Sequence, residues 1–171
     1  MIIYAIKPFY IIVLAVIIVC LLNILYTLVI KPLYYKKKAL TLISKASKES
    51  NTPYQIDKTR KDGSTFTLII NNKTYNVKVL QTPKKCDLQI NNIETFVVYT
   101  KTLSDTMKSK VLSDMKTFMN SKMENRIIII PSKAKTIKKV INECEMIMVN
   151  HTVDVYKTKI YNEKEIINLF K

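Results

Sequence analysis

Three residues in the segment CDLQINNIETFVVYTKT, positions 86–102, have types and spacing that could serve phosphodiester chemistry. Asp87 begins one strand-like run, and Lys101 ends the next. Carboxylates can hold a divalent cation against a scissile phosphate, and a lysine beside them can position or activate the attacking water. A second carboxylate is needed two residues before the lysine, because alternate residues of a strand point to one face. Tyr99 occupies that position, and its phenol, with an ordinary pKa of about 10, is not an anionic metal ligand near neutral pH.

A metal held by Asp87 would therefore need a carboxylate from elsewhere in the chain. Taken alone, Asp87 fits a surface acid at a strand start, Lys101 fits a solvated lysine, and Tyr99 fits a half-buried strand aromatic. The sequence thus favours a protein that is not an enzyme, with Mg²⁺ or Mn²⁺ as a cofactor only if the site is active. Four acids could take over the missing role, although none has a spacing that singles it out: Glu49, Glu94, Asp105 and Asp114.

The composition excludes several other kinds of site. Gly63 is the only glycine, whereas phosphate-binding loops of the P-loop and dinucleotide types need several. His151 is the only histidine and the three cysteines are far apart, so a structural zinc site lacks ligands. The net charge of +15 indicates an anionic partner: nucleic acid, an acidic lipid surface, or both. A simple excess of solvated lysines would give the same total.

Residues 9–30 form an uncharged run of 22 residues that predicts a transmembrane helix. At roughly 1.5 Å per residue the run is about 33 Å long, close to the hydrocarbon thickness of a bilayer. A cleaved signal peptide has a shorter apolar core, of about 7–15 residues, and a cleavage site with small residues, which is missing here. Basic residues follow the run, and positive flanks stay cytoplasmic, so the C-terminal domain is expected on the cytoplasmic side of the cell (inner) membrane. The lysines expected to touch acidic headgroups are Lys31, Lys36, Lys37 and Lys38.

Four segments are predicted: a short tail (1–8), the transmembrane helix (9–30), a basic juxtamembrane helix and linker (31–63), and a domain of class α/β or α+β (64–171). Within this domain, the runs around Asn71-Asn72 predict a β-hairpin, and residues 126–131 and 145–149 predict buried strands. Apolar residues spaced by three or four predict a helix over residues 103–122, and a further helix is predicted from residue 132 to 141. Residues 153–161 predict an edge strand, and residues 163–170 a closing helix. The predicted architecture is one mixed sheet flanked by helices on both faces.

This order of elements, with Asp87 and Lys101 at matching places, resembles the restriction-endonuclease-like (PD-(D/E)XK) superfamily. The segment IIIIPSKAKTIKKVINECEMIMV and the ending EKEIINLFK resemble the later elements of its Mrr-type branch. The resemblance covers about residues 60–171 and implies a restriction-endonuclease-like core. It assigns catalytic positions to Asp87 and Lys101, with Tyr99 in place of the motif's glutamate.

Three functions follow as hypotheses. The first is a single-pass membrane-anchored protein with a catalytically degraded nuclease-like domain that binds DNA or RNA. The second, of another class, is a scaffold or interaction domain at the membrane surface that binds no nucleic acid. The third is an active Mg²⁺- or Mn²⁺-dependent endonuclease with a relocated carboxylate. The first predicts a basic patch centred on Lys101 and Asp87, whereas the third predicts a second acid beside Asp87.

Overall fold

The N-terminal part of the chain is helical. The computed structural model describes residues 2–59, 62–102 and 106–171, with side chains from residue 10 onward. Helix α1 covers Ile2–Leu25, a π-helical segment covers Tyr26–Ile30, and helix α2 covers Lys31–Ser50. The stretch Tyr10–Ser50 contains a helix long and apolar enough to cross a membrane, judged by length and composition alone. The chain divides into two compact units, residues 1–34 and residues 35–171.

The second unit is built on two mixed five-stranded sheets. The first sheet has the order β1-β2-β3-β7-β10, in which β7 runs parallel to both of its neighbours. The second has the order β6-β5-β4-β8-β9, in which only the β4–β8 pair is parallel. The strands are β1 (Tyr54–Asp57), β2 (Phe66–Ile70), β3 (Lys73–Val79), β4 (Asp87–Ile90), β5 (Phe96–Lys101), β6 (Met107–Val111), β7 (Arg126–Ile130), β8 (Thr136–Val140), β9 (Met146–Met148) and β10 (Thr158–Asn162).

Strand β7 contributes side chains to a hydrophobic core on each face of the first sheet. Its four isoleucines are all buried, which matches the unbroken apolar run of residues 127–130. Ile127 and Ile129 belong to a core with α2 and the short 3₁₀ helix Ile166–Leu169. Ile128 and Ile130 belong to a second core with the inner face of the second sheet and helix α3 (Met115–Met119). The order of layers is therefore helix, first sheet, second sheet.

Several sequence predictions are confirmed. Helix α2 buries Ala39, Ile43 and Ala46 on one stripe. The β2–β3 hairpin turns at Asn71 and Asn72, whose φ angles of 49° and 62° are the left-handed values that a two-residue hairpin loop requires. The mixed α+β class and the buried strand at residues 126–130 are confirmed as well.

Two predicted helices are wrong. Residues 107–111 form β6, which pairs antiparallel with β5, and only the five residues of α3 are helical in the described part of the predicted range 103–122. The spacing of four between Met107 and Val111 fits a strand as well as a helix, because four is a multiple of the strand period. Residues 136–140 form β8, parallel to β4, and are rich in β-branched side chains.

The prediction of one mixed sheet with helices on both faces is also wrong, because a second sheet covers the face opposite α2. The strand at Met146–Met148 exists, but it pairs only with β8 and both methionines are exposed, so it is not buried. The closing helix is only the 3₁₀ segment Ile166–Leu169. The sequence predicted helices as the crossovers between parallel strands. In the structure, the segments that join the parallel strands of the first sheet contain the strands of the second sheet.

Candidate functional site

The three residues predicted to carry chemistry lie on one face of the second sheet. Asp87 on β4 is directly opposite Tyr99 on β5, and Lys101 lies two residues beyond Tyr99 on the same strand. Leu88 and Val98 point into the core between the sheets, so Asp87 and Tyr99 point to the outer face. The side chain of Thr136, opposite Asp87 on β8, donates a hydrogen bond of 2.5 Å to Asp87 Oδ1. The geometry thus satisfies one carboxylate oxygen with a threonine hydroxyl of the same sheet.

The acids that could replace the missing carboxylate are dispersed and paired with cations. Glu49 pairs with Lys45 on α2, at 3.8 Å, and α2 packs on the far face of the first sheet. Asp114 pairs with Lys78 at 3.0 Å. Among the described residues, no three His, Cys, Asp or Glu side chains lie together as metal ligands would. Asp105 lies outside the described residues.

Glu94 lies in the β4–β5 loop, at the opposite end of the strand from Asp87. It accepts from Lys116 at 3.0 Å and from Asn120 Nδ2 at 2.6 Å. These hydrogen bonds hold the pKa of the Glu94 carboxyl below its ordinary value. Glu94 therefore fastens the loop to α3 and does not join Asp87.

The lysines predicted at the membrane surface differ in their surroundings. Lys37 is exposed, and Lys31 and Lys36 are half-buried. Lys38 Nζ forms an ion pair with Glu163 Oε2 at 3.3 Å, which joins α2 to the segment before the 3₁₀ helix. Lys38 thus contributes to the packing of the second unit.

The outer face of the second sheet carries several exposed apolar side chains beside Asp87 and Tyr99. Strand pairing places the edge strands β6 and β9 on either side of β5, β4 and β8. The outward-pointing residues of the two edge strands are half or more exposed: Met107 (54%), Val111 (56%), Met146 (50%) and Met148 (58%). Exposed apolar side chains therefore lie on the same face as Asp87 and Tyr99.

A basic groove that sequence reasoning did not predict lies where the strands β7 and β10 begin. Its volume is about 1070 Å³. It combines residues from β3, α3, the α3–β7 loop, β10 and the C-terminal segment, and we call it the Arg126 groove. Its charged lining side chains are Lys73, Lys122, Arg126, Lys157, Lys159 and Lys171, against Glu124 and Asp154. Six cations and two carboxylates give the lining a side-chain charge of 6 − 2 = +4.

Arg126 is the buried member of this set, with 8% of its surface exposed. Its Nη1 donates to the carbonyl oxygens of Met119 and, at 3.4 Å, of Ser121, and its Nη2 donates to Tyr156 O at 2.9 Å. Burial lowers the pKa of the guanidinium from its ordinary value, but an arginine remains cationic in proteins. The acceptors in these hydrogen bonds are neutral carbonyls. These carbonyls accept hydrogen bonds from Nη1 and Nη2 of Arg126 without cancelling the positive charge of the guanidinium. Arg126 therefore adds a fixed positive potential at the base of the groove.

The turn that presents Tyr156 O to Arg126 has an unusual backbone. Tyr156 and Lys157 both have positive φ angles, 53° and 61°. Val155 and Thr158 exchange two backbone hydrogen bonds, of 2.9 and 3.0 Å, across this two-residue turn. Lys139 Nζ lies 4.6 Å from the centre of the Tyr156 ring, in a cation–π arrangement. Bulky residues rarely adopt this conformation, so the surrounding contacts must hold the turn.

The groove is assembled from residues 73–75, 119–127 and 154–171 with Ile93, which the parallel pairing of β3, β7 and β10 brings together. None of Asp87, Tyr99 and Lys101 lines it. One sequence signal could have indicated it. Arg126 directly precedes four consecutive buried isoleucines, so a charged residue is the first residue of a core strand. Comparison of the chain with family models, curated proteins and solved structures finds no match.

Proposed function

We propose that the chain is a single-pass membrane protein whose second unit binds a nucleic acid through the Arg126 groove without cleaving it. The observation that carries the proposal is the composition of the groove lining, whose side-chain charge of +4 includes the buried guanidinium of Arg126. Phosphate backbones bind such surfaces because neutralising each phosphate releases condensed counterions.

The concave shape favours a nucleic acid over a bilayer surface. A groove of about 1070 Å³ has room for part of a single strand, whereas a bilayer presents a broad surface that meets flat or convex patches. Tyr75 lines the groove and packs in part against the core that contains α2, and we propose that its ring stacks on a base. Both features suit a single strand whose bases are unpaired.

The membrane anchor is part of the same proposal. Support comes from the helical stretch Tyr10–Ser50, whose most apolar window has none of its residues buried in the described chain. A core helix of a soluble protein would be mostly covered. Positive residues follow this window, which favours a cytoplasmic second unit at the inner membrane. Cys144, an exposed thiol, reports the orientation: a membrane-impermeant maleimide should label it only after cells are lysed. Labelling in intact cells would reverse the orientation.

The binding experiment uses the full chain in phosphatidylcholine nanodiscs and a fluorescent 20-nucleotide single strand. Anisotropy is measured over a range of salt concentrations for the chain and for two double variants of equal charge. The groove variant is Lys122→Gln with Lys159→Gln. The control variant is Lys133→Gln with Lys135→Gln, two exposed lysines that do not line the groove.

For single strands, each phosphate contact contributes about 0.7 to the slope of log K against log salt concentration. The groove variant should therefore lower the slope by about 1.4, and the control should change it much less. Equal effects of the two variants would contradict the groove as the binding site. Binding to acidic vesicles without binding to either DNA or RNA would reject nucleic acid as the ligand.

The likeness to restriction endonucleases remains a prediction with its own test. Incubating the same chain with DNA and Mg²⁺ or Mn²⁺ should give no cleavage, since Tyr99 replaces the second carboxylate. Metal-dependent cleavage that disappears in Asp87→Ala would instead establish an active nuclease.

A protein-binding scaffold is the second candidate, and the exposed apolar outer face of the second sheet favours it. If a protein binds this face, the double variant Met146→Lys with Met148→Lys should no longer bind that protein, and its binding of nucleic acid should be unchanged. Loss of nucleic-acid binding in that variant would mean that the ligand lies on the second sheet.

A further inference from the structure

Asn23 is a strongly polar residue within the predicted span, residues 9–30. Its Oδ1 accepts a hydrogen bond from Thr27 Oγ1 at 3.4 Å. Within the described part of the chain, no acceptor is paired with its two amide N–H groups. The carboxamide therefore retains two donors and part of its acceptor capacity.

The depth of Asn23 makes these donors costly in a bilayer. Asn23 lies seven residues from position 30, which is about 10 Å along the helix at 1.5 Å per residue. A short side chain cannot reach the interface from that depth. The hydrocarbon contains no water to accept the hydrogen bonds, so an unpaired amide there is strongly unfavourable.

We propose that Asn23 pairs with Asn23 of a second copy of the chain, so that the spans form a parallel dimer; this rests on the proposed membrane span. A carboxamide is both donor and acceptor, so two copies satisfy each other reciprocally across a two-fold axis. Every copy has the same orientation in the membrane, and a parallel pair therefore brings the two asparagines to the same depth. A single asparagine at such a position also fixes register and oligomeric state.

The residues around Asn23 fit this contact. Val16, Cys20, Asn23 and Thr27 follow one another at spacings of four, three and four, so they share one side of the helix. Leucine and isoleucine dominate the remaining positions of the span. The smaller side chains on the Asn23 side let two helix backbones approach closely, as interhelical hydrogen bonds require.

Cys20 provides a native reporter of this arrangement. It lies one turn before Asn23, so the proposed dimer brings the two Cys20 thiols together. The full chain, with Cys86→Ser and Cys144→Ser, is reconstituted in phosphatidylcholine vesicles and treated with copper phenanthroline. We expect a disulfide-linked species of twice 19.9 kDa. In the matched control, Cys20→Ser is combined with Leu22→Cys, which moves the thiol to the opposite side of the helix, and cross-linking should be far weaker.

The role of Asn23 is tested by Asn23→Leu. Förster transfer between labelled copies in the same vesicles should show an association about 3- to 30-fold weaker, the range that interhelical polar contacts provide in membranes. Unchanged association in Asn23→Leu, or equal cross-linking at position 22, would overturn the proposal. Alkaline carbonate extraction separates the two levels of failure. A monomer that resists extraction refutes only the dimer, whereas an extracted protein refutes the membrane span itself.

Discussion

Gly63 is the one position where the fold requires glycine for two separate reasons, which makes Gly63→Ala a sharp test. Its φ angle is +80°, a conformation that L side chains rarely adopt. A Cβ added there would lie 3.0 Å from the backbone nitrogen of Phe118 and 3.3 Å from its Cα. Phe118 belongs to the buried helix α3, so its backbone cannot move away easily.

The expected loss of stability combines three terms. The left-handed backbone costs a residue with a Cβ about 1–2 kcal/mol. The clash with Phe118 adds about 1–3 kcal/mol, as overpacking does in a close-packed interior. Alanine restricts the unfolded chain and returns about 0.4–1 kcal/mol. We therefore expect Gly63→Ala to lower the free energy of unfolding by about 3 kcal/mol, within the range of roughly 1–5 kcal/mol that the three terms allow.

The measurement is urea unfolding of the full chain in mild detergent, followed by near-ultraviolet circular dichroism of the tyrosines. Asn71→Ala is the matched control. Asn71 has a φ of 49° and is exposed, so this change meets the backbone term of about 1 kcal/mol alone. If Gly63→Ala costs no more than Asn71→Ala, then α3 does not approach the Gly63 turn as closely as the structure has it.

Three further predictions concern charge and backbone. Lys78 Nζ is nearly buried and contacts Gly63 O and Asp114 Oδ2 at 3.0 Å each. Asp114→Ala should therefore lower the free energy of unfolding in urea by about 1 kcal/mol, and adding Lys78→Met should restore part of that loss. Equal stability of the single and double variants would refute this prediction. Lys85 has a φ of 58° and is exposed, so Lys85→Asn should raise the free energy of unfolding by about 0.5 kcal/mol, and a loss would contradict the left-handed turn. Burial raises the pKa of Cys86 and of Tyr161, so the contribution of these two groups to the free energy of unfolding should be full at neutral pH. It should decline above about pH 8.5, where the thiol of the unfolded chain ionises first. The decline between pH 8.5 and 10 should be smaller in Cys86→Ala, and an unchanged decline would exclude Cys86 as its cause.

The local conformation can be predicted from the sequence where one physical requirement decides it. Four consecutive isoleucines are typical of a strand buried on both faces, and the structure confirms this strand as β7. The Asn71-Asn72 pair is the turn chemistry that a tight hairpin needs. Helix α2 was found because its apolar residues recur with the helical period on one stripe.

The prediction fails where two periods coincide. Met107 and Val111 are four residues apart, which places them on one side of a helix and also on one face of a strand. The choice between helix and strand is decided by the partner residues on β5, from Val97 to Lys101. This pairing cannot be predicted from either segment alone. The same holds for β8, whose neighbour β4 lies nearly fifty residues earlier in the chain.

The candidate site was missed for a related reason. The turn at Tyr156 and Lys157 contains neither glycine nor asparagine, so nothing local predicts its left-handed backbone. That turn nevertheless aims the Tyr156 carbonyl at the Arg126 guanidinium, 2.9 Å away. Because the three carbonyls that hold this guanidinium carry no net charge, they leave its positive charge uncancelled in a lining where six cations, Arg126 among them, outnumber two carboxylates. A chain that needed Arg126 only for stability could replace it with an apolar residue and avoid burying a charge. A bound anion would offset the cost of burying this cation, and for that reason we expect the proposed ligand in the groove rather than on the Asp87 face.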